Sequence, residues 1–213
     1  MMDDEKLKEN SKVIHLPDGS CIYQHREGQK ISTDNVLLNE TVIAYYSQQS
    51  ASALQVLELG SGNGINSIML KKRFPKWTIT GIEIDVELVA LAQLNCEIQQ
   101  LKIEMREADL RQCPFMQQYD VIVANPPFMR INSGRLSPIP KNNVAKFELA
   151  CTMDDVFIAI AKGLKSTGIA WLLYSLEREE ELMQKLEEYK FKIIKLIKEN
   201  KVFVIGIEYD TDK

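Results

Sequence analysis

The sequence predicts an α/β fold with a mostly parallel, seven-stranded sheet and an antiparallel hairpin at its carboxyl-terminal edge. From residue 55 onward, short apolar runs alternate with stretches of helical periodicity, which is typical of parallel strands joined by helices. The run from Val121 to Ala124 is apolar throughout, as expected for a strand that is buried on both faces. Two further runs near the end of the chain are separated by Glu199, Asn200 and Lys201, a spacing that suits a hairpin.

Length and composition restrict the class of protein. The 213 residues fit one main domain at 30–213, preceded by an N-terminal arm and short hairpin at 1–29. Because no apolar run approaches the roughly 20 residues of a membrane span and no signal-peptide core follows the start, we expect a cytoplasmic protein without a membrane partner. Four cysteines without paired spacing and two histidines argue against a metal site. The net charge of −4 shows no overall nucleic-acid-binding character. If RNA is the partner, its basic binding surface must be local.

The region before residue 55 contains a hairpin and a helix. Residues 1–12 are polar and lack periodicity, so we expect an arm or short cap there. Pro17 to Ser20 form a turn pattern between apolar runs at 13–16 and 21–24. Ser32, Thr33 and Asp34 then precede apolar residues at helical spacing, which predicts a capped helix.

A glycine-rich turn follows the strand predicted at 55–59. The turn runs from Gly60 through Gly62 to Gly64, and a helical pattern extends from Ile65 to Phe74. Glycines let a backbone approach a ligand closely, and the start of a helix offers unpaired amides. A dinucleotide-binding fingerprint would place glycine at position 65. The turn therefore predicts a ligand site that differs from that fingerprint.

Two acidic residues follow the next two predicted strands. Glu83 lies near the end of the strand at 78–84, where an acid in a doubly wound sheet accepts hydrogen bonds from ribose hydroxyls. Asp85 competes for this role but is better suited to cap the following helix at 87–99. Asp109 comes just past the strand at 102–107. It is either an acceptor for an adenine amino group or an ordinary turn residue, and its spacing does not decide between them.

The strand that ends at residue 124 is followed by Asn125, Pro126, Pro127 and Phe128. The two prolines cannot donate to a ladder, so the four residues lie at the carboxyl end of a strand, where ligands bind in open α/β sheets. Asn-Pro by itself most often marks a turn. An amide, a carbonyl held by proline and a flat ring together suit an exocyclic amino group on a planar base, such as N6 of adenine.

A long segment without periodicity comes next, at 129–147. It contains four cations and no acid: Arg130, Arg135, Lys141 and Lys146. A loop this long is uncommon unless it is functional or disordered, and we expect these cations to contact RNA phosphates. The alternative is a solvated loop. Beyond it the pattern predicts a helix at 148–165 that starts near Thr152, a strand at 169–174, a helix at 177–189 and the hairpin strands at 192–197 and 202–209.

These motifs, in this order, resemble the Rossmann-like class I methyltransferases that use S-adenosylmethionine, over roughly residues 30 to 209. The segments at 30–38 and 134–138 resemble the bacterial tRNA(Val) adenine-N6 methyltransferases, which modify the adenine beside the anticodon. The resemblance implies a role for Asp34 near the methionine end of the cofactor and for Asp109 near its adenine. It also implies that Glu58, Gly60, Gly62 and Gly64 surround the cofactor, that Glu83 binds its ribose, and that Asn125 to Phe128 are catalytic.

The expected activity is therefore methyl transfer to N6 of an adenine in RNA, most specifically in tRNA next to the anticodon. A protein glutamine amide presents the same donors as the adenine amino group, and N2 of guanine in ribosomal RNA is a third candidate. The basic segment favours RNA over protein as the partner. The alternative of another class is a subunit that binds the cofactor without turnover, and the intact Asn125 and glycine turn argue against it.

Overall fold

The structure is a computed structural model, and it describes residues 4–16, 18–26, 33–49, 52–112, 117–126 and 151–211. Its strands are β1 (Ser11–His15), β2 (Cys21–His25), β3 (Gln55–Leu59), β4 (Thr78–Glu83), β5 (Glu104–Glu107), β6 (Tyr119–Ala124), β7 (Leu164–Ser175), β8 (Phe191–Glu199) and β9 (Val202–Tyr209). Its helices are α1 (Asp4–Glu9), α2 (Thr33–Ser47), α3 (Ile65–Arg73), α4 (Val86–Ile98), α5 (Met153–Gly163) and α6 (Glu179–Glu188), and a short 3₁₀ turn spans Leu176–Arg178.

Strands β3 to β9 form one seven-stranded sheet in the order β5-β4-β3-β6-β7-β9-β8. The pairs from β5 through β7 are parallel, whereas β9 runs antiparallel to both β7 and β8. The predicted fold class is confirmed. Because the chain winds outward from β3 to β4 and β5 and then returns to place β6 on the other side of β3, the winding reverses between β3 and β6.

The helix starts follow local sequence. Asp85 caps α4, since its carboxylate accepts from the backbone N of Glu87 and Leu88. Thr152 and Asp155 form a reciprocal capping box at the start of α5, as its position in the sequence suggested. The predicted helix was too long at its end, because α5 stops at Gly163 and the fully buried Leu164 already belongs to β7. Residues 148–150 of that prediction lie outside the described residues.

Apolar side chains cover both faces of the sheet. On one face, Leu38 and Val42 of α2 and Leu70 of α3 pack with β-strand residues such as Val121 and Trp171. On the other face, side chains of α5 and α6 pack against Leu57 and Ile122. A sheet covered in this way can present a ligand site only at a strand edge or end. In the described ranges, none of the helices combines the length and the apolar character that crossing a membrane requires.

The N-terminal segment packs on α4. Residues 4–9 form α1 rather than an irregular arm, because Leu7 is buried against Leu91 and Leu94. One buried apolar residue produces no periodicity in the sequence. Strands β1 and β2 form the predicted hairpin, and Asn95 of α4 binds it by accepting from Tyr23 N at 2.7 Å and donating to Tyr23 O at 2.9 Å. The division into 1–29 and 30–213 stays a prediction.

Candidate active site

Four parallel strands place the predicted site residues at the carboxyl ends of the strands. Leu59 at the end of β3 pairs with Ile82 of β4 on one side and with Ala124 of β6 on the other. The residues that follow these pairs, Gly60, Glu83 and Asn125, therefore stand beside one another. Adjacent strands lie about 4.8 Å apart, so these three residues are close together where the winding reverses between β3 and β6.

The glycine turn has a backbone that other residues adopt only with strain. Gly60, Gly62 and Gly64 have φ of 70°, 54° and 83°. Among the residues that the structure describes, a Cβ added at Gly60 or Gly62 would meet no heavy atom within 4 Å, so open space lies beside this part of the turn. At Gly64 a Cβ would come within 3.1 Å of Met105 Cε and 3.2 Å of Ala92 Cβ, because side chains of β5 and α4 pack closely there. The turn thus leaves an open cradle next to the start of α3.

Glu83 faces this cradle and is held by backbone amides. Its Oε2 accepts from Gly62 N at 3.0 Å, and its Oε1 accepts from the N of Ile84 at 2.8 Å and of Asp85 at 3.1 Å. Burial raises the pKa of the Glu83 carboxyl, and the three amide hydrogen bonds oppose that shift. An ionised carboxylate has about four acceptor positions, so capacity remains for a hydroxyl from a ligand.

Glu58 lies beneath the turn and is 2% exposed. Its Oε1 accepts from Asn66 Nδ2 at 2.8 Å, and its Oε2 accepts from Ser67 N at 3.1 Å and from the Ser67 hydroxyl. Both oxygens therefore bind the first turn of α3. The resemblance placed Glu58 around the cofactor, and in the structure it supports the start of the helix that follows the glycine turn.

Burial governs the ionisation of Glu58. It raises the pKa of the carboxyl from its ordinary 4.5 to about 7, against the hydrogen bonds from Ser67 and Asn66, while the nearby Glu83 raises it further. Below pH 4.5 the carboxyl is protonated in both the folded and the unfolded chain. Between pH 4.5 and pH 7 the unfolded chain ionises first, so the free energy of unfolding falls as the pH rises.

We predict that Glu58→Gln removes this pH dependence. The free energy of unfolding of the native chain, minus that of the variant, should drop by on the order of 3 kcal/mol from below pH 4.5 to above pH 7. Urea titrations of both proteins across this range measure the difference, which cancels the contributions of other titrating groups. A difference that is constant with pH would show that Glu58 ionises at its ordinary pKa.

A chain of buried amides extends from Glu58 to α2. Asn66 Oδ1 accepts from Asn39 Nδ2 at 2.7 Å and from Asn35 Nδ2 at 3.2 Å. Asn35 is adjacent to the half-buried Asp34, so the network connects the first turn of α2 to the glycine turn. Sequence reasoning missed these asparagines, although Asn35 and Asn39 lie four residues apart on the helix face that also carries apolar residues, which was a signal that they share a partner.

Asp109 follows β5, and the backbone N of Ala108 donates to Glu83 O at 2.9 Å, so the two acids lie on neighbouring strands. The Arg111 guanidinium binds Asp109 through Nε at 2.9 and 3.0 Å and through Nη2 at 2.6 Å. This hydrogen bonding lowers the pKa of the Asp109 carboxyl. Asp109 stays ionised and oriented, while its role at the cofactor adenine stays a prediction.

Asn125 follows the last residue of β6. Within the described part of the chain, its Oδ1 is buried and has no hydrogen-bond partner. Leaving a buried acceptor unpaired costs about 1–3 kcal/mol, and a donor from a bound ligand would satisfy it. Pro126 is buried beside it. The rest of the predicted catalytic and RNA-binding set lies outside the described residues: Pro127, Phe128, Arg130, Arg135, Lys141 and Lys146.

The polar groups at the carboxyl ends of these strands suit a polar organic ligand. They are carboxylates, an amide oxygen and backbone amides around an open cradle. Across the described ranges, histidine, cysteine, aspartate and glutamate side chains form no group of three or more that could hold a metal ion.

Comparisons with known proteins agree with this geometry. The family model described as the methyltransferase small domain matches residues 41–206. A tRNA1(Val) (adenine(37)-N6)-methyltransferase from Dyadobacter fermentans is 27% identical over 174 residues, which make up 81% of this chain and 69% of that protein. A release factor glutamine methyltransferase from Streptococcus pneumoniae is 36% identical over 76 residues, or 36% of this chain and 27% of that protein.

Solved structures share the fold. The T. thermophilus 16S rRNA N2 G1207 methyltransferase, in complex with AdoMet and guanosine, superposes with a TM-score of 0.65 at 22% identity and covers 93% of this chain and 50% of its own. At this identity the likeness concerns the fold alone. The family match, by contrast, covers well over half of the chain and includes the glycine turn, Glu83 and Asn125. This chain is a methyltransferase and belongs to the methyltransferase small domain family.

Proposed function

We propose that this chain transfers a methyl group from S-adenosylmethionine to N6 of an adenine in RNA, most specifically in tRNA next to the anticodon. The observation that carries the proposal is the buried Oδ1 of Asn125, which lies beside the glycine turn and has no hydrogen-bond partner among the described residues. The relative from Dyadobacter fermentans, which matches over most of both chains, supports the choice of target. A tRNA-modifying enzyme would work in the cytoplasm, as the sequence suggested.

The cofactor is S-adenosylmethionine, and the residues at the carboxyl ends of the parallel strands fit it. The open cradle beside Gly60 and Gly62 admits a ligand close to the backbone. Glu83 would bind the ribose hydroxyls, and Asp109, which follows the neighbouring strand β5, would bind the adenine. Asp34, at the start of α2, would face the methionine end. When bound, the cofactor supplies a methyl group on a positively charged sulfur, which makes that carbon electrophilic.

The chain itself must prepare the accepting nitrogen. The lone pair of an exocyclic amino group is delocalised into the adenine ring, so the nitrogen is a poor nucleophile. Hydrogen bonds from this amino group to Asn125 Oδ1 and to the Pro126 carbonyl would favour a pyramidal nitrogen with a localised lone pair. These acceptors gain strength as positive charge develops on nitrogen, so they stabilise the transition state more than the bound substrate. Phe128 would stack on the base.

The second candidate is a glutamine side chain in a protein, because its amide presents the same two N–H donors. The relative from Streptococcus pneumoniae favours this reading over about a third of the chain. The four cations of the segment after Phe128 favour RNA. Methylation of guanine N2 in ribosomal RNA would use the same acceptors at Asn125.

Incubation with labelled S-adenosylmethionine distinguishes the candidate substrates. The protein is supplied separately with total tRNA, ribosomal RNA and protein extract, and the products are analysed by mass spectrometry of nucleosides and amino acids. We expect N6-methyladenosine in tRNA. Methylglutamine or N2-methylguanosine would overturn the proposal in favour of one alternative, and cofactor binding without any product would indicate a non-catalytic subunit.

We also predict that the basic segment contacts RNA phosphates. Neutralising Arg130, Arg135, Lys141 and Lys146 should weaken RNA binding and flatten its dependence on salt, because fewer counterions are released. Affinity for S-adenosylmethionine should not change. Filter binding over a salt series measures the slope, and a slope equal to that of the native chain would assign the segment to a solvated loop.

A further inference from the structure

A cationic and aromatic surface lies at the end of α3, away from the carboxyl ends of the strands that carry the proposed active site. The residues from Lys71 to Trp77 include four cations and two aromatic rings, in a chain whose net charge is −4. They connect the end of α3 at Arg73 to the start of β4 at Thr78. They therefore lie at the amino end of this strand, whereas Glu83 lies at its carboxyl end. Nothing in the proposed methyl transfer uses them.

This surface surrounds a cavity of about 290 Å³. That volume is at the lower end of the roughly 300–1,000 Å³ of small-ligand pockets and is sufficient for a single base. We call it the α3-end cavity. It is lined by Tyr46, Ser47, Gln49, Ser52, Arg73, Phe74, Pro75, Lys76 and Trp77.

The aromatic side of the α3-end cavity is held rigid by ring contacts. Phe74 stacks on Trp77 with centroids 4.1 Å apart and an interplanar angle of 16°, and Tyr46 meets Trp77 edge-on at 5.1 Å. Trp77 is 3% exposed, whereas Phe74 is half-buried. A ring fixed in this way can stack on a planar ligand at little cost in side-chain entropy.

Two of the four cations already have structural partners. Lys71 Nζ donates to the carbonyl oxygens of Pro75 at 2.9 Å and Trp77 at 2.5 Å, and Lys72 Nζ pairs with Asp18 Oδ2 at 2.8 Å. These contacts, together with the favourable position of cations at a helix C-terminus, account for Lys71 and Lys72 without a ligand.

Arg73 and Lys76 are different. Both are exposed, and among the residues that the structure describes, no carboxylate forms an ion pair with either. Arg73 Nη2 donates to the neutral Ser47 Oγ at 2.9 Å, and its Cζ lies 5.2 Å from the Phe74 ring centroid. Two cations that have no carboxylate partner among the described residues, beside a fixed aromatic ring, have the chemistry to bind an anionic group attached to a planar ring.

We infer that the α3-end cavity binds one unpaired nucleotide of the RNA substrate, with its base against Phe74 and its phosphate at Arg73 and Lys76. This inference rests on the proposed function, since it concerns the same RNA. Helix α3 starts at the glycine turn and its nine residues extend about 13 Å, so the nucleotide in the cavity is not the adenine that reaches Asn125. The cavity would anchor the RNA without touching the reacting atoms.

The test compares two double variants with the same change in charge. Arg73→Gln/Lys76→Gln removes the two cations of the cavity. Lys195→Gln/Lys201→Gln removes two exposed lysines on and after β8, at the far edge of the sheet. RNA binding is measured with total tRNA over a salt series, and methyl transfer is followed in single turnovers with labelled S-adenosylmethionine.

We expect the cavity variant to bind tRNA roughly tenfold more weakly than the control and to lower the salt slope by about 0.7, the value for one phosphate contact on single-stranded RNA. Its single-turnover rate at saturating tRNA should equal that of the native chain. Phe74→Leu, checked for an unchanged melting temperature, should also weaken binding about tenfold while leaving the salt slope unchanged.

The outcomes separate this inference from the proposed function. If the native chain methylates adenine in tRNA and the cavity variant binds tRNA like the control, the inference fails while the proposed function stands. If the cavity variant also loses its rate at saturating tRNA, the anchoring role is wrong, because the residues would then act on the chemical step. If the native chain methylates no RNA, the proposed function fails, and this inference fails with it.

Discussion

Asn125→Ala should lower the single-turnover rate of methyl transfer by about 10²–10³ at saturating RNA and cofactor. Asn125 Oδ1 is buried and unpaired in the described part of the chain, and it stands beside the glycine turn. Removing it deletes an acceptor that strengthens as the target nitrogen becomes cationic. The substitution also removes an unsatisfied buried atom, so the free energy of unfolding should not fall.

Affinity for S-adenosylmethionine is the control for this variant. Calorimetry should give native affinity, because the glycine turn and Glu83 do not depend on the Asn125 side chain. Asn125→Asp keeps an acceptor but adds a negative charge close to the bound sulfonium, so it should bind the cofactor more tightly and react more slowly. Asn125→Ala that transfers methyl at the native rate would make the segment after β6 a structural turn.

The second large effect is expected at Glu83. Glu83→Ala should weaken the binding of S-adenosylmethionine by on the order of 1–3 kcal/mol, because charge-assisted hydrogen bonds to the ribose are lost. The variant also frees the Gly62 amide, which Glu83 Oε2 holds at 3.0 Å. Glu83→Gln retains an oxygen acceptor of the same size, so its loss of affinity should be smaller.

Glu107→Gln is the matched control. Glu107 pairs with Glu83 across β4 and β5 but is exposed, so this substitution makes the same change in charge one strand away. Its affinity for the cofactor should be within error of the native chain. Native affinity in a folded Glu83→Ala protein, or an equal loss in Glu107→Gln, would remove Glu83 from the ribose site.

The outcome for the acidic residues illustrates the reach of sequence reasoning. Asp85 could be assigned to a helix cap because its amide partners are two and three residues away, and the structure confirms it. Asp109 could not be characterised from spacing, since its ionisation and orientation depend on Arg111. Glu58 lies in a sequence motif that indicates a cofactor residue. Which groups donate hydrogen bonds to its carboxylate depends on how α3 packs over β3.

After helix α1, the sequence by itself determined the order of strands and helices, the class of sheet and the positions of the glycine turn and Asn125. Each of these depends on local patterns, such as apolar periodicity, positive φ at glycine and the missing amide of proline. Only the tertiary structure decided which side chains meet across the chain. Asn66 bonds Asn35 from 31 positions away, and Asn95 binds Tyr23 from 72 positions away. A buried amide gains its hydrogen bonds only when distant elements have packed, so no local pattern specifies its partner.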